Sequence, residues 1–326
     1  MTRIHPVYAV AFEKMKKDPR IGSIPIEEYR ALLDNRMKHI TLPDVYEEER
    51  TVTTNDGNPL HLTLLRPLGT EKQVLPVLIY YHGGGWVIGS KHTHGKVIRD
   101  ICIRANVAIV FVNYKLAPAV KFPAIHEEAF AALEWVYTHG GKELNVDVNK
   151  LAVGGDSAGG NLSAAMPLML QDRHQRGDTR LPLDTIKTQI LIYPSTAPKP
   201  TFPSYELFGS GDFALSNEEI KFYGRAYASK AMRNNKFMFA LLASDEELKK
   251  VPPALIITAE ADVLRDEGEE YGRRLTDAGV KTTTVRMIGA THGYISLPFE
   301  TSIYTHSIYL IVRQLHDTFS IASSKL

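Results

Sequence analysis

Ser157 stands at the centre of Gly155-Asp156-Ser157-Ala158-Gly159. A serine hydroxyl is a weak nucleophile until it is presented on a sharp turn beside a base. The apolar run Leu151–Gly154 precedes it, and a helical pattern, Gly160–Arg173, follows. A serine on a tight strand-to-helix turn needs small neighbours two residues away on each side, and glycine fills both positions. The helix that follows would aim its positive N-terminal end at an anion forming beside Ser157. The chemistry indicated is nucleophilic attack by Ser157 on an acyl carbon.

Such a serine needs a base, and the base needs a carboxylate to orient it. One known arrangement places them in chain order serine, acid, histidine, each after a strand. Ala254–Thr258 reads as a late strand, and Asp262 follows it, with Glu260 and Asp266 as rivals. Asp266 also suits an N-cap of the next helix. The last strand, Thr282–Met287, leads to His292 in the loop Gly289-Ala290-Thr291-His292-Gly293. His306 and His316 come later, on a closing helical stretch where a packed or solvated side chain is expected.

Attack on a carbonyl places negative charge on its oxygen, and donors already in place stabilise that charge. The run His82-Gly83-Gly84-Gly85-Trp86 lets backbone N–H groups approach closely. Gly84, Gly85 and Ala158 are the candidate donors, with His82 anchoring the loop. The run is not a phosphate loop: it lacks a following Gly-Lys-Ser/Thr and the spacing and helix start of a dinucleotide site. His82, His92 and His94 have no acid or cysteine among them to complete a metal site.

These residues must be positioned by a scaffold. Strand signals at 77–81, 108–114, 151–154, 189–193, 254–258 and 282–287 alternate with helical patterns at 92–105, 124–137, 160–173, 267–277 and 304–319. Continuous apolar strands between amphipathic helices predict an α/β fold, a mostly parallel sheet covered on both faces. Val45–Thr53 and Leu60–Pro67 flank Asn55-Asp56-Gly57 and predict an antiparallel hairpin at one edge. Two segments fall outside this rhythm. Residues 1–44 are helical and polar, and the stretch 195–248 has no strand signal and carries Tyr205, Phe208 and Phe213. Both are placed to cover a site.

Composition sets bounds. The chain has 326 residues, 44% hydrophobic and 23% charged, with a net charge of +1. That charge gives no broad field for nucleic acid or an anionic membrane. The single cysteine, Cys102, excludes an internal disulfide and reads as a small buried hydrophobe. The first residues lack the apolar run of about 7–15 that a signal peptide requires. No stretch approaches the roughly 18 apolar residues of a membrane span. A cytoplasmic protein without stable membrane insertion is expected.

Four motifs in order resemble the hormone-sensitive lipase family of α/β-hydrolases, the bacterial family IV esterases and their relatives. They are His82–Trp86; Tyr114-Lys115-Leu116-Ala117-Pro118 with Phe122-Pro123-Ala124; Gly155–Asn161; and Asp262–Gly268 with His292-Gly293. The resemblance spans about Leu75 to Leu315. It implies an α/β-hydrolase fold of about eight strands with a helical cap, built from residues 1–44 and the 195–248 insertion into a catalytic domain of 45–326. It also implies Ser157, Asp262 and His292 as triad, with Gly84, Gly85 and Ala158 as oxyanion hole. The implied activity is hydrolysis of short- to medium-chain acyl esters through an acyl-enzyme. No metal or organic cofactor is implied, the partner is a small-molecule ester, and a homodimer is consistent with the family.

Trp86, Tyr205, Phe208 and Phe213 are expected to wall the substrate pocket, although core packing explains the cap aromatics as well. The chain departs from the family at Ala119 (usually Glu), Val263 (usually Pro) and Tyr294 (usually Phe), none of which removes a reacting group. Amide or carbamate hydrolysis would use the same triad. Receptors on this fold have lost the histidine that this chain keeps as His292.

Overall fold

The computed structural model describes residues 3–321. The few remaining residues of the segments 1–44 and 45–326 lie outside the described residues. In chain order the elements are α1 (Pro6–Met15), α2 (Ile26–Met37), β1 (Tyr46–Thr53), β2 (Pro59–Arg66), β3 (Leu75–Tyr81), α3 (Gly95–Ala105), β4 (Ala108–Val112), α4 (Ala124–Glu143) and β5 (Val146–Asp156). They continue with α5 (Ala158–Gln175), β6 (Ile186–Ile192), α6 (Pro203–Phe208), α7 (Asn217–Tyr227), α8 (Asp245–Leu248), β7 (Ala254–Ala261), α9 (Arg265–Asp277), β8 (Thr282–Thr291) and α10 (Ser302–Phe319).

The eight strands form one sheet in the order β1-β2-β4-β3-β5-β6-β7-β8. The hairpin β1–β2 is antiparallel and joins β4 in antiparallel register, while all other pairs are parallel. The pleat sorts side chains by parity. Val77, Ile79 and Tyr81 of β3 pack with Phe130 and Leu133 of α4 and Leu162 and Ala165 of α5. Leu78 and Tyr80 face the other way, toward Ile98 and Ile101 of α3 and Ile308 and Val312 of α10. With both faces covered, β3 and β4 read as unbroken apolar runs.

β5 begins at Val146, five residues before the expected Leu151. Its first part, Val146-Asp147-Val148-Asn149-Lys150, is polar, and its register on β3 shifts between Pro76 and Val77, so no apolar run marks it. β8 extends past the expected Met287 to Thr291, and Gly289, at φ +78°, interrupts the pattern that would have marked this end.

Glycine is enforced where β5 turns into α5. A Cβ on Gly155 would lie 2.1 Å from the Tyr81 carbonyl oxygen, and one on Gly159 would lie 1.9 Å from it. The turn presses against the end of β3 with only hydrogen between them.

The N-terminal segment packs in two places. Tyr8 and Phe12 of α1 join the cluster of α10, and the Tyr8 hydroxyl meets Thr301 Oγ1 at 2.6 Å. α2 buries no residue fully, yet Arg30 donates from Nε to the Val87 carbonyl at 2.8 Å and from Nη2 to the Ala117 carbonyl at 2.9 Å. The expected insertion of 195–248 behaves as two parts. Residues up to Phe239 contribute to a cavity wall, whereas Ala240, Ala243, Leu248 and Val251 pack with Ala164, Leu168 and Leu191 of the body.

Glu267 of α9 fastens the insertion. Its side chain is fully buried, with Oε1 accepting from the N–H groups of Thr196 (2.7 Å) and Ala197 (3.2 Å) and Oε2 from the Tyr205 hydroxyl (2.6 Å). Burial pushes its carboxyl up to about 7, against the lowering effect of these three donors.

Two outcomes follow. Gly155→Ala forces the turn off the Tyr81 carbonyl, and urea unfolding should show a loss of about 1–3 kcal/mol, the usual cost of overpacking. For Glu267 the folded value lies above the ordinary 4.5, so the native state holds the extra proton and stability falls as pH rises from about 4.5 through 7. Glu267→Gln keeps an acceptor for Thr196 and removes this dependence. Its melting temperature relative to the parent should therefore rise between pH 5 and pH 8.

Candidate active site

Ser157 sits between the last residue of β5 and the first of α5, with φ 54° and ψ −116°. That backbone is strained for a residue with a side chain. It is held by the Ser157 N–H donating to the Ile192 carbonyl of β6 at 2.8 Å and by the glycine contacts with Tyr81. The hydroxyl faces His292 Nε2 at 2.9 Å. His292 follows β8, and its Nδ1 faces Asp262 Oδ2 at 2.8 Å. Asp262 follows β7, is buried, and accepts the Leu264 N–H at 2.9 Å through its other oxygen. Nδ1–H therefore points to the carboxylate, which leaves Nε2 free to accept from serine.

Burial disfavours the charged form of His292, but the Asp262 charge and hydrogen bond outweigh it and hold the imidazole above its ordinary value. The rival acids are engaged elsewhere. Glu260 Oε2 accepts the Gly289 N–H at 2.7 Å. Asp266 does not cap α9 as expected: the position before that helix belongs to Leu264, and Asp266 Oδ2 instead accepts the Ser204 N–H at 2.8 Å. His316 is buried at 3.1 Å from the Ala105 carbonyl, and exposed His306 meets the Ser302 carbonyl of its own helix turn.

The glycine run leaves the end of β3, the strand paired with β5, so it arrives beside Ser157. Gly84 and Gly85 have φ of +109° and +58°. Their N–H groups, and that of Ala158, donate to no acceptor among the described residues. Gly83 differs: its N–H donates to Asp156 Oδ1 at 3.0 Å. His82 stacks on Tyr114 at 4.2 Å between ring centres, and its Nδ1 lies 2.7 Å from the Gly83 carbonyl oxygen. Burial lowers its value to about 3, so it is neutral and serves as a spacer.

Ser157 and His292 open into a cavity of about 710 Å³, within the range of small-ligand sites. α1, α2 and α7 contribute to its wall along with the glycine run. Trp86 and Tyr205 are among the residues that line it. Phe208 and Phe213 do not. They meet edge to face at 5.2 Å and pack with Val263 and Leu264, because α6 turns its apolar side toward the start of α9. Trp86 is stacked on Tyr227 at 4.0 Å.

Sequence reasoning missed Tyr223, whose ring fills the space a Cβ on Gly85 would need, 2.3 Å from its Cγ. An aromatic on an amphipathic helix carries no signal that separates a site wall from core. Arg30 was missed too, since its partners outside its own helix are backbone carbonyls 57 and 87 residues away. Glu267 lies within the Asp262–Gly268 motif but reads as an ordinary acid in a first helical turn.

The model of a family described by the alpha/beta hydrolase fold matches residues 78–296. An alpha/beta hydrolase of Acanthamoeba polyphaga mimivirus is 33% identical over 90% of this chain and 82% of its own length. Carboxylesterase NlhH of Mycobacterium tuberculosis is 34% identical over 78% and 77%. Among solved structures, an esterase from Rhizomucor miehei superposes with a TM-score of 0.91 at 46% identity, covering 98% of this chain and 99% of that one. With the sheet order, the strained turn at Ser157 and the groups that meet there, these matches establish that the chain belongs to the α/β-hydrolase family, in its hormone-sensitive-lipase-like branch.

Proposed function

We propose that this serine carboxylesterase hydrolyses esters of short to medium acyl chain through Ser157, His292 and Asp262, with Gly84, Gly85 and Ala158 as oxyanion donors. The enzyme class follows from the family and its esterase relatives. The observation that carries the residue assignment is the relay of two hydrogen bonds in series, 2.9 Å from Ser157 Oγ to His292 Nε2 and 2.8 Å from Nδ1 to Asp262. Residues 1–44 and 195–239 form the cap of this reading.

In the first half-reaction His292 Nε2 takes the hydroxyl proton as Ser157 Oγ attacks the acyl carbon. Asp262 stabilises the imidazolium that results and keeps the ring in register. The carbonyl oxygen gains its charge beside the free N–H groups of the glycine run and the N-terminus of α5. His292 returns the proton to the departing alcohol. A water then repeats the sequence on the acyl-enzyme, releasing the acid and restoring Ser157. A cavity of about 710 Å³ supports a substrate of modest size, and among the described residues no helix is long and apolar enough to cross a membrane.

Hydrolysis of p-nitrophenyl esters of increasing acyl length tests the reading. Ser157→Ala should lower kcat by at least about a thousandfold, and the optimum should fall at short to medium chains. An unchanged Ser157→Ala rate would overturn the assignment. Catalysis needs neutral His292, whose value is raised. The kcat/KM profile should thus climb with pH to a plateau, with a midpoint above 6.5. Asp262→Asn removes the charge that raises it, and should lower both the rate and the midpoint.

A further inference from the structure

Asp156 is buried, charged, next to the nucleophile in sequence, and has no part in the relay. Its side chain leaves the opposite face of β5 and meets three donors. The Tyr80 hydroxyl donates to Oδ1 at 2.9 Å and the Gly83 N–H donates to the same oxygen at 3.0 Å. His94 Nε2 lies 3.2 and 3.4 Å from the two carboxylate oxygens. Burial opposes the charge of Asp156, but His94 and Tyr80 hold its carboxyl below the ordinary value. A buried carboxylate is costly unless every face is paired, and here two of the three donors come from rigid elements. Tyr80 is on β3, and His94 directly precedes α3.

The third donor is the loop. A Cβ on Gly83 would lie 2.2 Å from Asp156 Oδ2, so the carboxylate has been brought as near to this backbone as glycine allows. The N–H it captures belongs to the first glycine, directly before the two with free donors and positive φ. The bond to the Gly83 N–H fixes the peptide unit from which the loop departs, so only the φ and ψ of Gly83 and Gly84 separate that anchor from the next two N–H groups.

We propose that Asp156 is a positioning residue for the oxyanion loop: its carboxylate, clamped by Tyr80 and His94, grips the Gly83 N–H and thereby aims the Gly84 and Gly85 N–H groups at the developing oxyanion. This rests on the ester-hydrolase reading of the site. The charge itself is not used, because an oxyanion nearby gains nothing from a second negative group. What matters is an acceptor at Oδ1. Asparagine retains that acceptor, and the other tautomer of His94 can accept from its amide.

The test compares Asp156→Ala, Asp156→Asn and Ser157→Ala with the parent on p-nitrophenyl butyrate, together with inhibition by an alkyl trifluoromethyl ketone. In that inhibitor Ser157 Oγ bonds to the carbonyl carbon, His292 keeps the proton, and the negative oxygen occupies the hole. Asp156→Ala should lower kcat by about a hundredfold, the scale of one lost oxyanion donor, with KM within about threefold. It should weaken the trifluoromethyl ketone by a similar factor, and Asp156→Asn should recover most of both losses.

The inference is overturned if Asp156→Ala keeps kcat within about threefold, if Asp156→Asn is as slow as Asp156→Ala, or if KM rises while ketone affinity holds. Should Asp156→Ala not fold, Tyr80→Phe and His94→Gln each loosen the clamp. They should lower kcat and ketone affinity together by about three- to tenfold, and unchanged values in both overturn the proposal. Loss of activity in Ser157→Ala assigns any failure to Asp156 alone, whereas its retention overturns both readings.

Discussion

The carbonyl oxygen of Tyr81 lies where the Cβ atoms of residues 155 and 159 would be. This one approach, between the end of β3 and the turn after β5, ties together the parts of the site. Because β3 and β5 are paired in parallel, both chains leave the sheet at the same end. One chain carries Ser157 and the other carries Gly84 and Gly85, whose N–H groups have no acceptor among the described residues. Any side chain at 155 or 159 would separate them. The strained backbone of Ser157 persists because it is fixed from both sides, by its bond to Ile192 and by the packing on Tyr81.

Asp262 and His292 are placed by less exacting means. Asp262 and His292 leave neighbouring parallel strands, β7 and β8, and so emerge side by side at the same edge as Ser157. Their competitors in sequence are each used elsewhere: Glu260 on β8, and Asp266 on the start of α6. Position along the strand end, more than residue type, separates the three carboxylates.

Much of this was legible in the sequence. The strand–helix alternation was readable because strands covered on both faces carry long apolar stretches, and Gly155, Ser157, Asp262 and His292 were marked by glycine and by chain order. The first half of β5 was not legible, since Asp147, Asn149 and Lys150 hide it. The cavity wall was only half legible. Trp86 and Tyr205 line it, while Phe208 on short α6 and Phe213 in the bend after it turn away, and an aromatic in such a short segment looks the same whichever side it packs on. Interactions between side chains and distant backbone, such as those of Arg30 and Asp156 with main-chain groups, leave no pattern in a single sequence.

The two bonds that Arg30 makes beyond α2 end on carbonyl oxygens that every residue possesses. The body of the molecule therefore needs no particular side chain at 87 or 117 to receive Arg30, although Asp34 of α2 also accepts from the Ser90 hydroxyl at 2.6 Å. Attachment through main-chain acceptors frees both surfaces to diverge. Residues of α2 that face the cavity, such as Leu33 and Met37, can be exchanged without undoing the joint, so selection can reshape which molecules enter while the groups around Ser157 stay as they are.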